Sequence, residues 1–183
     1  MTNTRQFRDT IGLFTTGVAI VAVHEGDEVH AMTANAVCSV SLEPMLLLFC
    51  PAKRARLSQY LAVDMAFTIN VLRAGQQAIS NFFAGNWQQG APPPFRFVAM
   101  GDAPRLEGSL ASLGCKVRSI ADGGDHWLVL GAVLELKQGI VPHEPLLFYK
   151  GGYRELQQGT AVAAPDLARV TDEPTHIYFD SHS

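Results

Sequence analysis

The chain has 183 residues, 48% of them hydrophobic and 17% charged, with a net charge of −3. That length accommodates one domain with a full core, and the apolar content excludes a disordered chain. The slight negative charge provides no global field for nucleic acid or an anionic membrane, so neither is expected as a partner.

In chain order, Phe7, Ile11 and Phe14 recur at helical spacing and predict an amphipathic helix over 6–15, with Thr2 or Thr4 as its cap and Gly17 as its end. A β-branched run over 18–23, a turn over 25–27 and alternation through Ala36, Cys38 and Val40 predict three strands. Met45 to Cys50 is continuously apolar, as in a strand covered on both faces. A short helix over 55–61, a strand over 65–72 and a second short helix over 76–83 follow. The stretch 85–94, with NWQQGAPPP, reads as a loop. Two long strands over 112–120 and 126–136 are joined by an ADGGD turn, and a last strand pair spans 146–156, broken at Gly151-Gly152. The domain is expected to occupy 1–158, followed by an irregular tail over 159–183. Many short strands and a few small helices predict a mainly β fold, a barrel with helical additions.

Cys38, Cys50 and Cys115 are odd in number, lack CxxC spacing and lie in apolar strand-like segments, so they read as reduced core residues. MTNTRQFRDTIGLF lacks the pattern of a signal peptide and no apolar run reaches membrane-spanning length, which makes the cytoplasm the expected compartment. Surplus apolar surface fits burial in an oligomer.

There is no GxSxG, HExxH, P-loop or strand-to-helix GxGxxG, and the six histidines are dispersed, so no metal site is expected. Four segments remain. In MTANAVCSV, the small and polar Thr33, Ala34, Asn35 and Ala36 interrupt a strand, either to admit a flat ligand against bare backbone or to form a strand corner or bulge. In CPAKRARLSQYL, Lys53, Arg54 and Arg56 sit where a helix should begin, the wrong end for cations, which an external phosphate would reverse; a solvated basic corner is the plain alternative. In AISNFFAG, Phe82 and Phe83 suit either a wall for a planar ring or core packing. In GGDHWLVLGAV, Asp125-His126 stands at the rim of a buried strand in which Gly131 marks a bulge or a close backbone approach.

Taken together, FRDTIGLFTTGVAIV, TANAVCSVSLEPMLLLFC, FTINVL, ISNFFAG, PRLEGSLASLGCKV, GGDHWLVLGAV and LLFYKGGYREL resemble, in order and spacing, the flavin reductase family, the reductase component of two-component flavin-dependent monooxygenases. The resemblance implies a six-stranded antiparallel split β-barrel of Greek-key connection, paired as a homodimer, that binds FMN or FAD and uses NADH or NADPH. It implies that Thr33, Ala34, Asn35, Ala36 and Val37 line the isoalloxazine and that Ala52, Lys53, Arg54, Ala55 and Arg56 hold the flavin phosphate. Ser80, Asn81 and Phe83 would close the pocket, Tyr153 would approach the ring, and His126, the residue assigned to the reaction centre, would dock the nicotinamide with Asp125 as its support. One departure is that Ala55 and Leu57 stand where relatives commonly carry Ser or Thr, which leaves FMN against FAD and the phosphate contacts open. The alternatives are a flavin-binding electron carrier that never oxidises NAD(P)H, and a small interaction barrel with an empty pocket.

Overall fold

The computed structural model describes residues 3–139 and 144–156; the expected tail over 159–183 lies outside them. In order it comprises α1 (Thr4–Ile11), β1 (Thr16–Gly17), β2 (Ala19–Glu25), β3 (Glu28–Ala34), β4 (Val37–Leu42), β5 (Met45–Phe49), a 3-10 helix (Arg56–Tyr60), β6 (Ala66–Val71) and α2 (Gln77–Phe83). It continues with β7 (Phe97–Met100), β8 (Ala103–Leu106), β9 (Ala111–Gly123), β10 (His126–Gln138), β11 (Leu147–Tyr149) and β12 (Gly152–Arg154).

The principal sheet is antiparallel and has seven strands in the order β3-β2-β6-β9-β10-β5-β4. Its two end strands, β3 and β4, are consecutive in the chain and separated only by Asn35 and Ala36. They amount to one strand that turns a corner from one edge of the sheet to the other, and counting them as one gives the six strands expected of the barrel. The small residues at 35 and 36 are therefore a corner, and the same corner is exposed.

The barrel interior is filled by Val21, Val23, Phe49, Phe67, Ile69, Val117 and Val129, all wholly or almost wholly buried. Each such side chain contributes about 1.5–3 kcal/mol relative to exposure. A second cluster outside the barrel wall joins Ile20, Leu72, Ile79, Leu106 and Leu146 beneath α2. Adjacent residues on β2 and β3 serve the two clusters alternately, as the two-residue period of a strand requires. Gly131 shows both features expected of it. The β9–β10 register shifts between Leu130 and Gly131, and a β-carbon at 131 would lie 2.5 Å from Phe67 Cζ.

Several local expectations are corrected. The first helix is capped by Asn3, whose Oδ1 accepts the Gln6 N–H at 2.9 Å while Gln6 Oε1 accepts the Asn3 N–H; Thr4 lies within the helix and Thr2 outside the described residues. It ends at Gly12, not near Gly17. Its apolar side is not buried, since Phe7, Ile11 and Phe14 are 69%, 55% and 72% exposed. The short helix expected over 55–61 is present, as a 3-10 helix of five residues, Arg56–Tyr60. The last hairpin turns at Lys150-Gly151, both at positive φ, one residue earlier than expected. Cys38 lies exposed on an edge strand rather than in the core, while Cys115 is buried.

The hairpin β7–β8 was not anticipated. It is fastened to the main sheet by Asn70, whose amide is saturated: Nδ2 donates to Ile20 O (3.1 Å) and Thr68 Oγ1 (2.8 Å), and Oδ1 accepts from Leu106 N (3.0 Å) and Ser112 Oγ (3.0 Å). Thr68 Oγ1 in turn donates to Pro104 O at 2.6 Å.

Candidate active site

The corner and the loop after β5 are one continuous wall. Cys50 N donates to Ala36 O at 3.1 Å, closing the β4–β5 ladder at the corner, and the chain then runs through Pro51 into the basic loop. That loop is pinned to the start of β10: Trp127 N donates to Pro51 O and Lys53 N to Asp125 O, both at 2.9 Å, with an isolated bridge between Ala52 and His126. Ala55 N–H closes a turn onto Ala52 O at 2.9 Å, and Ser58 Oγ donates to the same carbonyl at 2.7 Å. Ser58, buried and bonded in this way, braces the loop from within.

On the corner side, a cavity of about 600 Å³ opens between α1, the corner and the closing strands, walled by Ile11, Phe14, Val37, Leu48 and Phe148 with Asn35 at its edge. Its size lies within the ~300–1,000 Å³ of small-molecule sites. Asn35, Ala36 and Val37 all line it. Ala34 faces the barrel interior instead, and Thr33, one residue earlier, points to the opposite face.

Thr33 belongs to a network that ties β3, α2 and β12 together. Its Oγ1 donates to Ser80 O at 2.6 Å, and Tyr153 OH donates to Asn81 Oδ1 at 3.1 Å. The phenol has one proton, so the 2.9 Å contact between Ser80 Oγ and Tyr153 OH must be donated by Ser80. Tyr153 therefore fixes α2 rather than offering a free proton. Phe83 turns away from this network into an aromatic cluster, with ring centroids 5.0 Å from Phe82, 4.9 Å from Phe95 and 5.9 Å from Phe97. Both rings of the pair are half-buried within that cluster.

At the other end of the wall, the β9–β10 turn is Gly124-Asp125, with Gly124 at φ +81, a conformation suited to glycine. His126 Nδ1 lies 2.7 Å from Asp125 Oδ1. An ionised carboxylate only accepts, so Nδ1 carries the proton and Nε2 is the free end of the ring. The hydrogen bond from His126 is the main reason the Asp125 carboxyl is held below the usual carboxylate range, with the charge of Arg54 adding a little.

Lys53 does not stand free. Its ammonium contacts the Asp122 carboxylate and lies 4.5 Å from the centroid of the Trp127 ring. The bond from Lys53, aided by the Gly124 N–H, lowers the Asp122 pKa. Arg54 and Arg56 are exposed. Asp122, Trp127 and Cys50 were not singled out as site residues from sequence. Only the alternation of β9 and β10 toward a shared turn could have paired Asp122 with Trp127, and nothing local joined either to Lys53.

The flavin reductase like domain model matches residues 11–157, most of the chain. The reductase component of 4-hydroxyphenylacetate 3-monooxygenase from Thermus thermophilus is 38% identical over 150 residues, spanning 82% of this chain and 95% of that one. An NADH-dependent flavin reductase from Rhodococcus is 38% identical over 153 residues, spanning 82% and 85%. Among solved structures, flavin reductase PheA2 superposes with a TM-score of 0.80 at 34% identity, covering 86% of this chain and 100% of that chain. The Streptomyces globisporus NADH:FAD oxidoreductase SgcE6, solved with NAD and FAD fragments, gives 0.76 at 34% identity, covering 87% and 96%. A corner of small residues, an apolar cavity, a basic loop and a rim histidine on one continuous wall thus occur in a chain that belongs to the flavin reductase family.

Proposed function

We infer that the protein is an NAD(P)H-dependent flavin reductase that transfers hydride from NADH or NADPH to FMN or FAD and supplies the reduced flavin to a separate monooxygenase. The observation that carries this is the single wall running from the cavity at Asn35–Val37 through Cys50 to the cationic loop and His126, which joins an apolar chamber to a cluster of cations. Relatives named as NADH-dependent reductases of FAD and of FMN support both the nucleotide and the flavin. Relatives named as reductase components of monooxygenases support the partner.

The residues fit such a cofactor. Ala36 offers backbone without bulk, Val37 and Phe148 offer apolar faces, and Lys53, Arg54 and Arg56 offer positive charge for the phosphate. The bound flavin supplies the hydride-accepting ring, so the chain needs no nucleophile or proton relay of its own. His126, held through Nδ1 by Asp125, would accept at Nε2 a hydrogen bond from the nicotinamide carboxamide and so orient the nucleotide. Thr33, Ser80, Asn81 and Tyr153 tie α2 to β3 and β12, and Phe83 packs with Phe82, Phe95 and Phe97.

The same reading includes a homodimer in the cytoplasm. Phe7, Ile11 and Phe14 on the α1 segment, Leu42 and Met45 on the β4–β5 hairpin, and Leu134 and Leu136 on the end of β10 that extends past β5 are all exposed, and we assign their cover to a second subunit. Light scattering at micromolar concentration checks the dimer. Among the described residues no helix is long and apolar enough to cross a membrane, and the three cysteines are free.

The experiment is steady-state oxidation of NADH and of NADPH with FMN, FAD and riboflavin in turn. Turnover of at least one pair is expected, and its absence with all of them overturns the reading. Rapid reduction of bound flavin by NADH in a stopped-flow trace separates a reductase from an electron carrier.

A further inference from the structure

The three cations of the loop are not presented alike. Arg54 and Arg56 are exposed and form no ion pair among the described residues. Lys53 is drawn across to the β9–β10 hairpin, its ammonium on the Asp122 carboxylate and above the Trp127 ring. Asp122 is itself fixed, because its other oxygen accepts the Gly124 N–H at 3.0 Å within the turn. A carboxylate on a rigid turn has thus been set against one cation of the loop assigned here to the flavin phosphate.

We propose that Asp122 is a specificity-determining counter-ion: it competes with the flavin phosphate for Lys53, loosens the hold on phosphorylated flavins and so makes them exchangeable. The proposal rests on the assignment of 52–56 to the phosphate. The pair is solvent-accessible, with side chains 32% and 70% exposed, so it has the modest net strength of a surface pair and biases Lys53 without trapping it. A phosphomonoester carries about −1.5 to −2 charge and, with Arg54 and Arg56 also engaged, displaces a single carboxylate. When the phosphate leaves, Asp122 is there to receive the ammonium. A reductase that must pass its product to another protein gains from a competitor that lowers the barrier to release without touching the ring.

Asp122→Asn is the test, because the amide oxygen retains the acceptor for Gly124 N–H while the charge is removed; Asp122→Ser is the second variant. Dissociation constants of the full chain for FMN, FAD and riboflavin are read by fluorescence titration. Both variants should bind FMN about 2- to 5-fold more tightly, the size of one exposed charge pair. FMN dissociation should slow correspondingly, riboflavin affinity should stay constant, and Asp122→Glu should behave as the parent. Lys53→Gln should weaken FMN and abolish the gain from Asp122→Asn. Unchanged or weaker FMN binding in Asp122→Asn overturns the proposal, as does equal tightening of riboflavin. If Lys53→Gln weakens FMN selectively while Asp122→Asn is neutral, the counter-ion role alone falls. If Lys53→Gln, Arg54→Gln and Arg56→Gln all leave the FMN to riboflavin ratio unchanged, the phosphate-loop assignment falls with it.

Discussion

Gly131→Ala places one methyl group where the barrel has no room for it. Gly131 lies in the middle of β10, between Val117 of β9 and Leu47 of β5. Its added β-carbon would meet Phe67 Cζ at 2.5 Å, Phe67 Cε1 at 3.0 Å and Leu47 Cδ1 at 3.5 Å. Carbon atoms pack at about 3.5–4.0 Å, so the ring must retreat by roughly an ångström. Phe67 is fully buried, with Phe49 at a centroid distance of 5.1 Å on one side, so the retreat is transmitted to neighbours already in contact. Overpacking of this kind costs about 1–3 kcal/mol. At about 2 kcal/mol the melting temperature of a chain this size falls by roughly 4–8 °C. Urea and thermal unfolding followed by circular dichroism read the loss. Phe67→Leu in the same chain makes room for the methyl, so the double variant should be more stable than the sum of the two single losses by more than about 0.5 kcal/mol. A Gly131→Ala protein within about 0.5 kcal/mol of the parent, or strict additivity with Phe67→Leu, would refute the close-approach reasoning.

His126→Ala should raise the KM for the nicotinamide nucleotide about tenfold, the loss of one hydrogen bond of about 1.4 kcal/mol, with flavin affinity changed far less; equal loss of both in steady-state assays would make His126 structural. Asn70→Ala removes four buried hydrogen bonds at once and should cost about 2–4 kcal/mol in urea unfolding, through the unpaired groups it leaves. Asp122 and Asp125 have carboxyl pKa values depressed by bonds from Lys53 and His126. Their stabilisation is therefore complete above the ordinary carboxylate value of about 4 and is lost as pH falls through the depressed values, so acid titration of the Asp122→Asn, Asp125→Asn protein should show a weaker stability loss in that window. Cys115, whose pKa burial pushes up to about 12, should resist thiol reagents until the chain unfolds, whereas Cys38, exposed on β4, should react first in a timed labelling experiment read by mass spectrometry.

Much of the barrel was legible because its strands announce themselves by apolar content and their turns by glycine. Met45 to Phe49 and the β-branched run of β2 needed no tertiary knowledge, and Gly131 in an apolar run correctly signalled a bulge and a close approach. What stayed hidden was decided by contacts distant in sequence. The hairpin β7–β8 contains Pro104 and an Arg, a poor strand by composition, and it is held by Asn70 some thirty-six residues away. The end of α1 is hidden because the apolar spacing of Phe7 and Ile11 continues past Gly12 to Phe14. At the site, Thr33, Ser80, Asn81 and Tyr153 could be grouped only through the family resemblance, since the hydrogen bonds joining them span as many as 73 positions. Lys53 was identified, but its partner was not, because pairing an ammonium with a carboxylate across 69 positions requires knowing how two loops meet.

The corner at Asn35 and Ala36 has one more consequence. A sheet that closes on itself usually seals its seam with main-chain hydrogen bonds, but here the end strands β3 and β4 are joined by the chain itself and are not paired with each other. The barrel is closed at that seam by the covalent chain through Asn35 and Ala36 rather than by a ladder, so the two edges are held to each other only where the corner joins them.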